Sequence, residues 1–415
     1  MLTYKTLFPD ARLSDRADRI AAAMAERQSV IIRRLTDDHA EAAGAYRFFG
    51  NESVSLDDLK TALLRHCRSL TGEEHKERHK LVIQDTTQLN FDHLAERLGT
   101  SHGLGVIGDN VSLGCFLHPS LVVDAAPQQM DAEQMDAEQA SAAQASVQPC
   151  YGLSDIRFWT RPDVRPDKHE RQYQKQPIEE KESFRWIESI AASEAVLTEA
   201  GPLTMVADRE ADIFEVFARV PSERTDLLVR AARNRRISEP AGLLYEHINK
   251  QAVAGRYSVE VRGDRRRNRT ARTALLEVRF TRVHLRRPHR LRQTDAPEEV
   301  ALYVVEAKEM AATVPEGEDP IHWRLLTSHR VEDMAMARQM ITWYRQRWHI
   351  EQYFRLLKSK GLNLEGALLE GALLEDGQAL QRLCLMALGA ALEVMRLLLA
   401  REGARTDTRT DTRTD

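Results

Sequence analysis

The sequence predicts an α/β protein with a small all-helical module in front of it and a β-rich insertion within it. Three observations carry this. Between residues 76 and 238, apolar runs that end in a carboxylate alternate with amphipathic stretches. Before residue 75 the apolar spacing is helical only, and from 239 to 328 it shortens to the two-residue alternation of strands.

Taken in order, Ala11 to Glu26 is amphipathic, Ser29 to Leu35 is apolar and basic, and Glu41 to Phe49 holds the cluster Ala45-Tyr46-Arg47-Phe48-Phe49. These predict short helices in a domain spanning residues 1–75. Lys80-Leu81-Val82-Ile83-Gln84-Asp85 reads as a buried strand presenting an acid at its C-terminal edge. Strands follow over Val111 to Asp124 and Gly152 to Thr160. Between them, residues 125–149 carry the tandem repeat Met130-Asp131-Ala132-Glu133-Gln134 and Met135-Asp136-Ala137-Glu138-Gln139, which predicts a flexible loop. Lys181 to Glu199 is helical by period, Leu203 to Ala207 is a buried strand, Asp208 opens a helix over Ala211 to Val220, and Asp226 to Ala232 returns as a strand.

The insertion, 239–328, holds strands over Arg256 to Arg262, Ala274 to His284, Val300 to Ala307 and His322 to Thr327. The last region, 329–402, is predicted to contain one long helix from Val331 to Lys360. The duplicated Glu365-Gly366-Ala367-Leu368-Leu369 and Glu370-Gly371-Ala372-Leu373-Leu374 follow, then an apolar helix from Gln378 to Ala400. Residues 403–415 repeat Thr, Asp and Arg with nothing to bury, which predicts a disordered tail.

No apolar run is expected to reach bilayer-spanning length, and the N-terminus has no basic-then-apolar export signal, so a cytoplasmic location is expected. Cys67, Cys115, Cys150 and Cys384 are far apart and form no CxxC pair, which points to reduced thiols. The formal net charge of −4 conceals an asymmetry: residues 224–292 hold nineteen Arg or Lys against six Asp or Glu. A basic block in an otherwise acidic chain is the footprint of a polyanion site, or of an Arg-rich solvated sheet.

Three acids stand apart: Asp85 and Asp208 at strand ends and Glu351 on the late helix. Carboxylates from separate elements suit two divalent ions, which need hard oxygen ligands to clamp a phosphodiester. Taken singly, Asp208 also reads as a helix N-cap and Asp85 as a turn residue. On one continuous helix, Tyr344, Arg347, Glu351, Arg355 and Lys358 fall within an arc of roughly 80°, a cationic stripe around one acid. Beside it, Trp343, Ile350, Phe354 and Leu357 form the apolar arc that seats the helix.

The order Tyr344-x2-Arg347-x3-Glu351-x6-Lys358 resembles the Tyr-Arg-Glu-Lys signature of the insertion-sequence-four transposases. Ile83-Gln84-Asp85-Thr86-Thr87 and Ala207-Asp208-Arg209-Glu210-Ala211-Asp212-Ile213 are similar to the family's surroundings of its first and second catalytic Asp. Gly44-Ala45-Tyr46-Arg47-Phe48 is similar to part of its N-terminal DNA-binding domain. The resemblance runs over most of residues 8–400 and weakens after Lys358.

What this resemblance implies is a ribonuclease-H-like core interrupted by the β-rich insertion, with Asp85, Asp208 and Glu351 as catalytic residues and ligands of two Mg²⁺ ions, or Mn²⁺ in their place. It implies a nick at the transposon end that leaves a 3′ hydroxyl, then strand transfer into target DNA. In relatives a hairpin intersects that path. Tyr344, Arg347, Lys358, Arg355 and Arg230 would grip the DNA end. Trp323 would stack on a flipped base, and His118 lies where the family has a His on its second strand. The partners implied are double-stranded DNA, as transposon end repeats and as target, and a second copy of the chain in the DNA complex. The short stretch after Lys358 leaves an alternative: a relative defective in assembly that binds transposon ends as a regulator. A nuclease without strand transfer is a third reading.

Overall fold

The structure, a computed structural model of the chain, describes residues 2–72, 75–95, 103–108, 111–125, 149–161, 176–261, 263, 270–291, 295–358, 361–366 and 377–410. The tandem repeat at 130–139, most of the 365–374 duplication and the end of the tail lie outside them. The chain forms two compact units. One comprises Met1–Arg171, Ser189–Gly201 and Trp348–Asp415, the other Gln172–Glu188 and Pro202–Arg347.

The first unit opens with helices α1 (Ala11–Arg27), α2 (Ile32–Leu35), α3 (His39–Phe49) and α4 (Leu56–Thr71). Each long one starts on a residue that satisfies an orphan N–H: Asp10 accepts from Arg12, Asp38 from Glu41 and Ser55 from Asp58. At α3 the Glu41 carboxylate also takes the Asp37 N–H at 3.0 Å, so the start is braced twice. Phe48 and Phe49 are buried edge to face at 5.4 Å, with Phe8 against Phe48 at 6.0 Å. Truncating such a ring typically costs about 3–5 kcal/mol, enough to undo a small helical domain.

The strands of this unit are β1 (Lys80–Gln84), β2 (Thr87–Asn90), β3 (Gly105–Val106), β4 (Leu113–Asp124) and β5 (Cys150–Trp159). Strand β4 is buried along its whole length and pairs antiparallel with each of the others. Strands β1 and β2 follow one another along the same partner with Asp85 and Thr86 between them. That interruption places Asp85 at the C-terminal end of β1.

The core helix of the unit, α10 (Gly377–Thr410), corrects two expectations. Its stretch Gly377–Arg401 is long and apolar enough to cross a membrane by length and composition, a run the sequence reading did not expect. Here it is mostly buried in protein, against α1, α4 and α9 (Trp348–Leu357). Its charged groups are satisfied from within the unit: Arg382 donates to the carbonyls of Val54 and Phe49, and Glu393 accepts the Leu2 N–H. The Tyr353 hydroxyl donates to the Leu388 carbonyl at 2.8 Å, joining α9 to α10. The helix also runs on to Thr410, into the stretch expected to be disordered.

The second unit contains a mixed sheet in the order β6-β7-β11-β10-β9-β8. Strands β6 (Leu203–Ala207) and β7 (Thr225–Arg230) are parallel and joined by the short helix α6 (Phe214–Arg219). The remaining pairings are antiparallel. The chain then forms α7 (Leu244–Asn249), β8 (Gly255–Val261), β9 (Arg272–Arg286), β10 (Glu299–Glu309) and β11 (His322–Thr327). Strands β8 to β11 thus follow one another along the chain, and the last returns to pair with β7. Helix α5 (Arg185–Val196) begins in this unit and ends in the first.

Two further expectations give way here. The long helix over Val331 to Lys360 is two helices, α8 (Met334–Arg345) and α9. At the junction the Arg347 N–H bonds the Tyr344 carbonyl three residues back, at 3.1 Å, a tightening that breaks the 3.6-residue register. The five-residue stripe is thus not one helix face. Glu351 and Arg355 remain together on α9, which Lys358 directly follows, while Tyr344 and Arg347 belong to the other unit. The basic block is also less cationic than its sequence. Arg235 pairs with Asp212, Arg272 with Glu309 and Glu318, and Arg290 with Glu215, and all four acids lie outside the block.

Candidate nucleic-acid interface

In the second unit, five of the residues singled out from the sequence come together from different elements. Asp208 follows β6, Arg230 ends β7, Trp323 lies on β11, Tyr344 on α8, and Arg347 at the α8 terminus. The pairing of Leu325 with Arg230 puts Trp323, two residues before Leu325, on the same sheet face as Arg230. Tyr344 packs edge-on against Trp323, ring centroids 6.4 Å apart. The charges of Arg347, Arg230 and Asp208 all act on its phenol.

Burial is the largest influence on that phenol and raises its pKa. Arg347 and Arg230 pull it back down, and Asp208 pushes it up again. Tyr344 is therefore a neutral hydroxyl at ordinary pH, set between two guanidinium groups and one carboxylate. Arg230 also donates to the His322 carbonyl at 3.0 Å, which aims the guanidinium along the sheet. Asp208 is the N-cap of a 3₁₀ turn over Arg209–Ala211, accepting the Glu210 N–H at 2.8 Å. Asp208 therefore caps this turn and not the helix read over Ala211–Val220, which begins at Phe214, and the bond fixes the carboxylate at the strand end.

In the first unit, Asp85 is half-buried and accepts the Thr86 N–H at 2.8 Å. The Thr86 hydroxyl meets Nδ1 of the fully buried His118 at 2.9 Å, so His118 anchors the residue next to Asp85. Glu351 lies in the first turn of α9, where the helix dipole favours a carboxylate. Arg355 lies over the exposed ring of Trp348 at 4.7 Å, with its Nε reaching back to the Glu351 carbonyl at 3.4 Å. Lys358 is held inside the unit: its ammonium bonds the Gln88 carbonyl and lies 3.2 Å from the Glu365 carboxylate, which also takes the Asn90 N–H.

The three carboxylates offer the hard oxygen donors that Mg²⁺ or Mn²⁺ prefers. Asp85 and Glu351 belong to one unit and Asp208 to the other, so neither unit holds the set by itself. Among the described residues, no group of three or more His, Cys, Asp or Glu side chains is gathered to hold a metal ion.

At the N-terminus, α1, α2 and α3 enclose a cleft of about 380 Å³ lined by Arg16, Arg19, Ile20, Leu35, Glu41 and Arg47. Arg19 and Arg47 are exposed at its rim, while Arg16 donates to the Gly44 carbonyl at 3.0 Å. A Cβ at Gly44 would stand 3.0 Å from that guanidinium, tighter than an ordinary contact, so any larger residue there must shift the Arg16 side chain. Residues 4–54, which contain these three helices, match the family model described as transposase DNA-binding. That match supports a transposase that binds DNA through its N-terminal helical region.

Proposed function

We propose that the chain is a cut-and-paste DNA transposase in which Asp85, Asp208 and Glu351 hold two Mg²⁺ ions, or Mn²⁺, at the transposon end. When bound, such ions activate water and offset charge on the attacked phosphate and the leaving oxygen. The chain's own groups do the rest. Arg230 and Arg347 offer planar forks to phosphate oxygens, Tyr344 donates its neutral hydroxyl, and Trp323 presents a π face for an unpaired base. Arg355 adds charge beside Glu351, and Lys358 would join the DNA contacts by exchanging the Gln88 and Glu365 oxygens for phosphate.

The single observation that carries this reading is the gathering of Asp208, Arg230, Trp323, Tyr344 and Arg347 from four elements of one unit. A structural role alone gives no reason for two guanidinium groups to share a buried phenol with a carboxylate. The antiparallel strands β1, β4 and β5, followed along the chain by the parallel pair β6 and β7, agree with a ribonuclease-H-like core. The partners follow: duplex DNA as end repeats and target, and a second copy of the chain in the DNA complex, in the cytoplasm.

The test is a nicking assay with Mn²⁺ on a duplex carrying the inverted repeat that borders the reading frame. The wild-type chain should leave a 3′ hydroxyl at the repeat end. Asp85→Ala and Glu351→Ala should bind the end and fail to nick it, and equal activity in these variants contradicts the proposal. End binding without nicking by the wild-type chain would instead mark an end-binding regulator that does not cut.

A further inference from the structure

The motif Asp208-Arg209-Glu210-Ala211-Asp212 contains two aspartates, and their surroundings separate their roles. Asp208 is partly exposed at the strand end. The Asp212 side chain is fully buried, and it receives three hydrogen bonds. Its Oδ2 accepts the Ala232 and Arg233 N–H groups at 2.7 and 2.9 Å, and its Oδ1 accepts Arg235 Nε at 2.6 Å. Arg235 in turn lies over the Phe217 ring at 5.3 Å, so the ion pair is packed from outside as well.

The two backbone donors stand directly after the end of β7. Arg230 is the last residue of that strand, and Ala231 still donates to the Arg324 carbonyl on β11 at 2.8 Å. From Ala232 onward the chain leaves the sheet, and Asp212 alone takes the two consecutive N–H groups of that exit. An exit turn held by a charged acceptor is fixed more firmly than one held by water, because charge-assisted bonds are the stronger kind and the site is dry. The same residue is tied through the 3₁₀ turn Arg209–Ala211 to Asp208. One buried carboxylate therefore joins the loop that carries Asp208 to the strand end that carries Arg230.

We propose that Asp212 is a positioning residue that sets Arg230 against Asp208 and Tyr344, and so acts on DNA only through Arg230. This rests on Arg230 contacting DNA, as proposed above. Asp212→Asn keeps the size of the side chain and removes its charge and one acceptor.

The experiment is a double-mutant cycle on full-length protein, with Asp212→Asn, Arg230→Ala and the double variant binding a labelled duplex that carries the bordering inverted repeat. Arg230→Ala should weaken binding about tenfold, the scale of one charge-assisted contact. Asp212→Asn should weaken it about threefold to fivefold, and adding it to Arg230→Ala should change nothing further. The same factor of loss from Asp212→Asn in both backgrounds overturns the positioning role and leaves the DNA reading of Arg230 standing. Wild-type binding by Arg230→Ala overturns both. Asp212→Ser, whose hydroxyl retains an acceptor, is run in the same cycle with its thermal midpoint, in case the amide variant folds poorly. A lowered midpoint with unchanged affinity also overturns the role.

Discussion

The Arg230 guanidinium at the end of β7 acts on the Tyr344 phenol of α8, drawing its pKa back down against the rise that burial causes. This proximity brings a helix residue of the Tyr-Arg-Glu-Lys pattern to a strand residue that no spacing rule connects to it. Burial keeps the phenol neutral, so its proton remains for an acceptor such as a phosphate oxygen.

If Arg230 and Arg347 meet phosphate, replacing either with Ala should weaken binding to end DNA uniformly across sequences. The slope of log affinity against log salt should flatten by about one unit for each contact removed. Filter binding over a salt series reads this directly. An unchanged slope would assign the residue to structure.

Trp323 is half-buried against Tyr344 and carries the stacking prediction. Trp323→Ala should cost about 1–3 kcal/mol per stacked base, and Trp323→Phe should recover most of it because any aromatic face can stack. A 2-aminopurine placed at the repeat end reports the stack as quenching in the wild type and in Trp323→Phe. Equal fluorescence in Trp323→Ala would make the indole a packing residue only.

In the N-terminal domain, Arg19 and Arg47 stand exposed at the rim of the cleft between α1 and α3. Their replacement by Ala should leave the thermal midpoint within a degree or so, because surface substitutions change stability by about 0.5 kcal/mol or less. End binding should fall at the same time. Gly44→Val should lower both, since its side chain would displace the Arg16 guanidinium that joins the two helices.

Acid should destabilise the first unit through two histidines. Burial lowers the pKa of His349 from 6.5 to about 4. Burial, then the charge of Arg396, lowers that of His66 to about 4 as well. Arg396 donates to His66 Nε2 at 2.7 Å, a bond that needs the neutral ring. The unfolded chain therefore takes up these protons first. Their contribution is complete above about pH 6.5 and is lost as pH falls towards about 4. Thermal midpoints measured across that window should fall, and His349→Gln should flatten the fall. A profile identical to wild type would remove His349 from this account.

Much of the scaffold was legible because short-range pattern determines it. Leu203 to Ala207 and His322 to Thr327 are strands at the bounds their apolar runs suggest, and Asp85 and Asp208 do stand at strand ends. The break between α8 and α9 was not legible, since it is made by one tightened backbone bond and no Gly or Pro marks it. The pairing of the basic block was not legible for a related reason. Its arginines find Asp212, Glu215, Glu309 and Glu318 through the fold, and a charge count along the chain cannot see partners so distant. Tyr344, Arg230 and Trp323 could be named singly from the family pattern, but that they share one place appears only when β7, β11 and α8 are folded together.

If Asp85, Asp208 and Glu351 hold metal together when DNA is bound, Mn²⁺ uptake by the protein–DNA complex, followed by electron paramagnetic resonance, reports it most directly. The wild-type complex should take up two ions per transposon end, and Asp85→Ala, Asp208→Ala and Glu351→Ala should each take up fewer while still binding the end. Full uptake after loss of any one of the three carboxylates would contradict the claim.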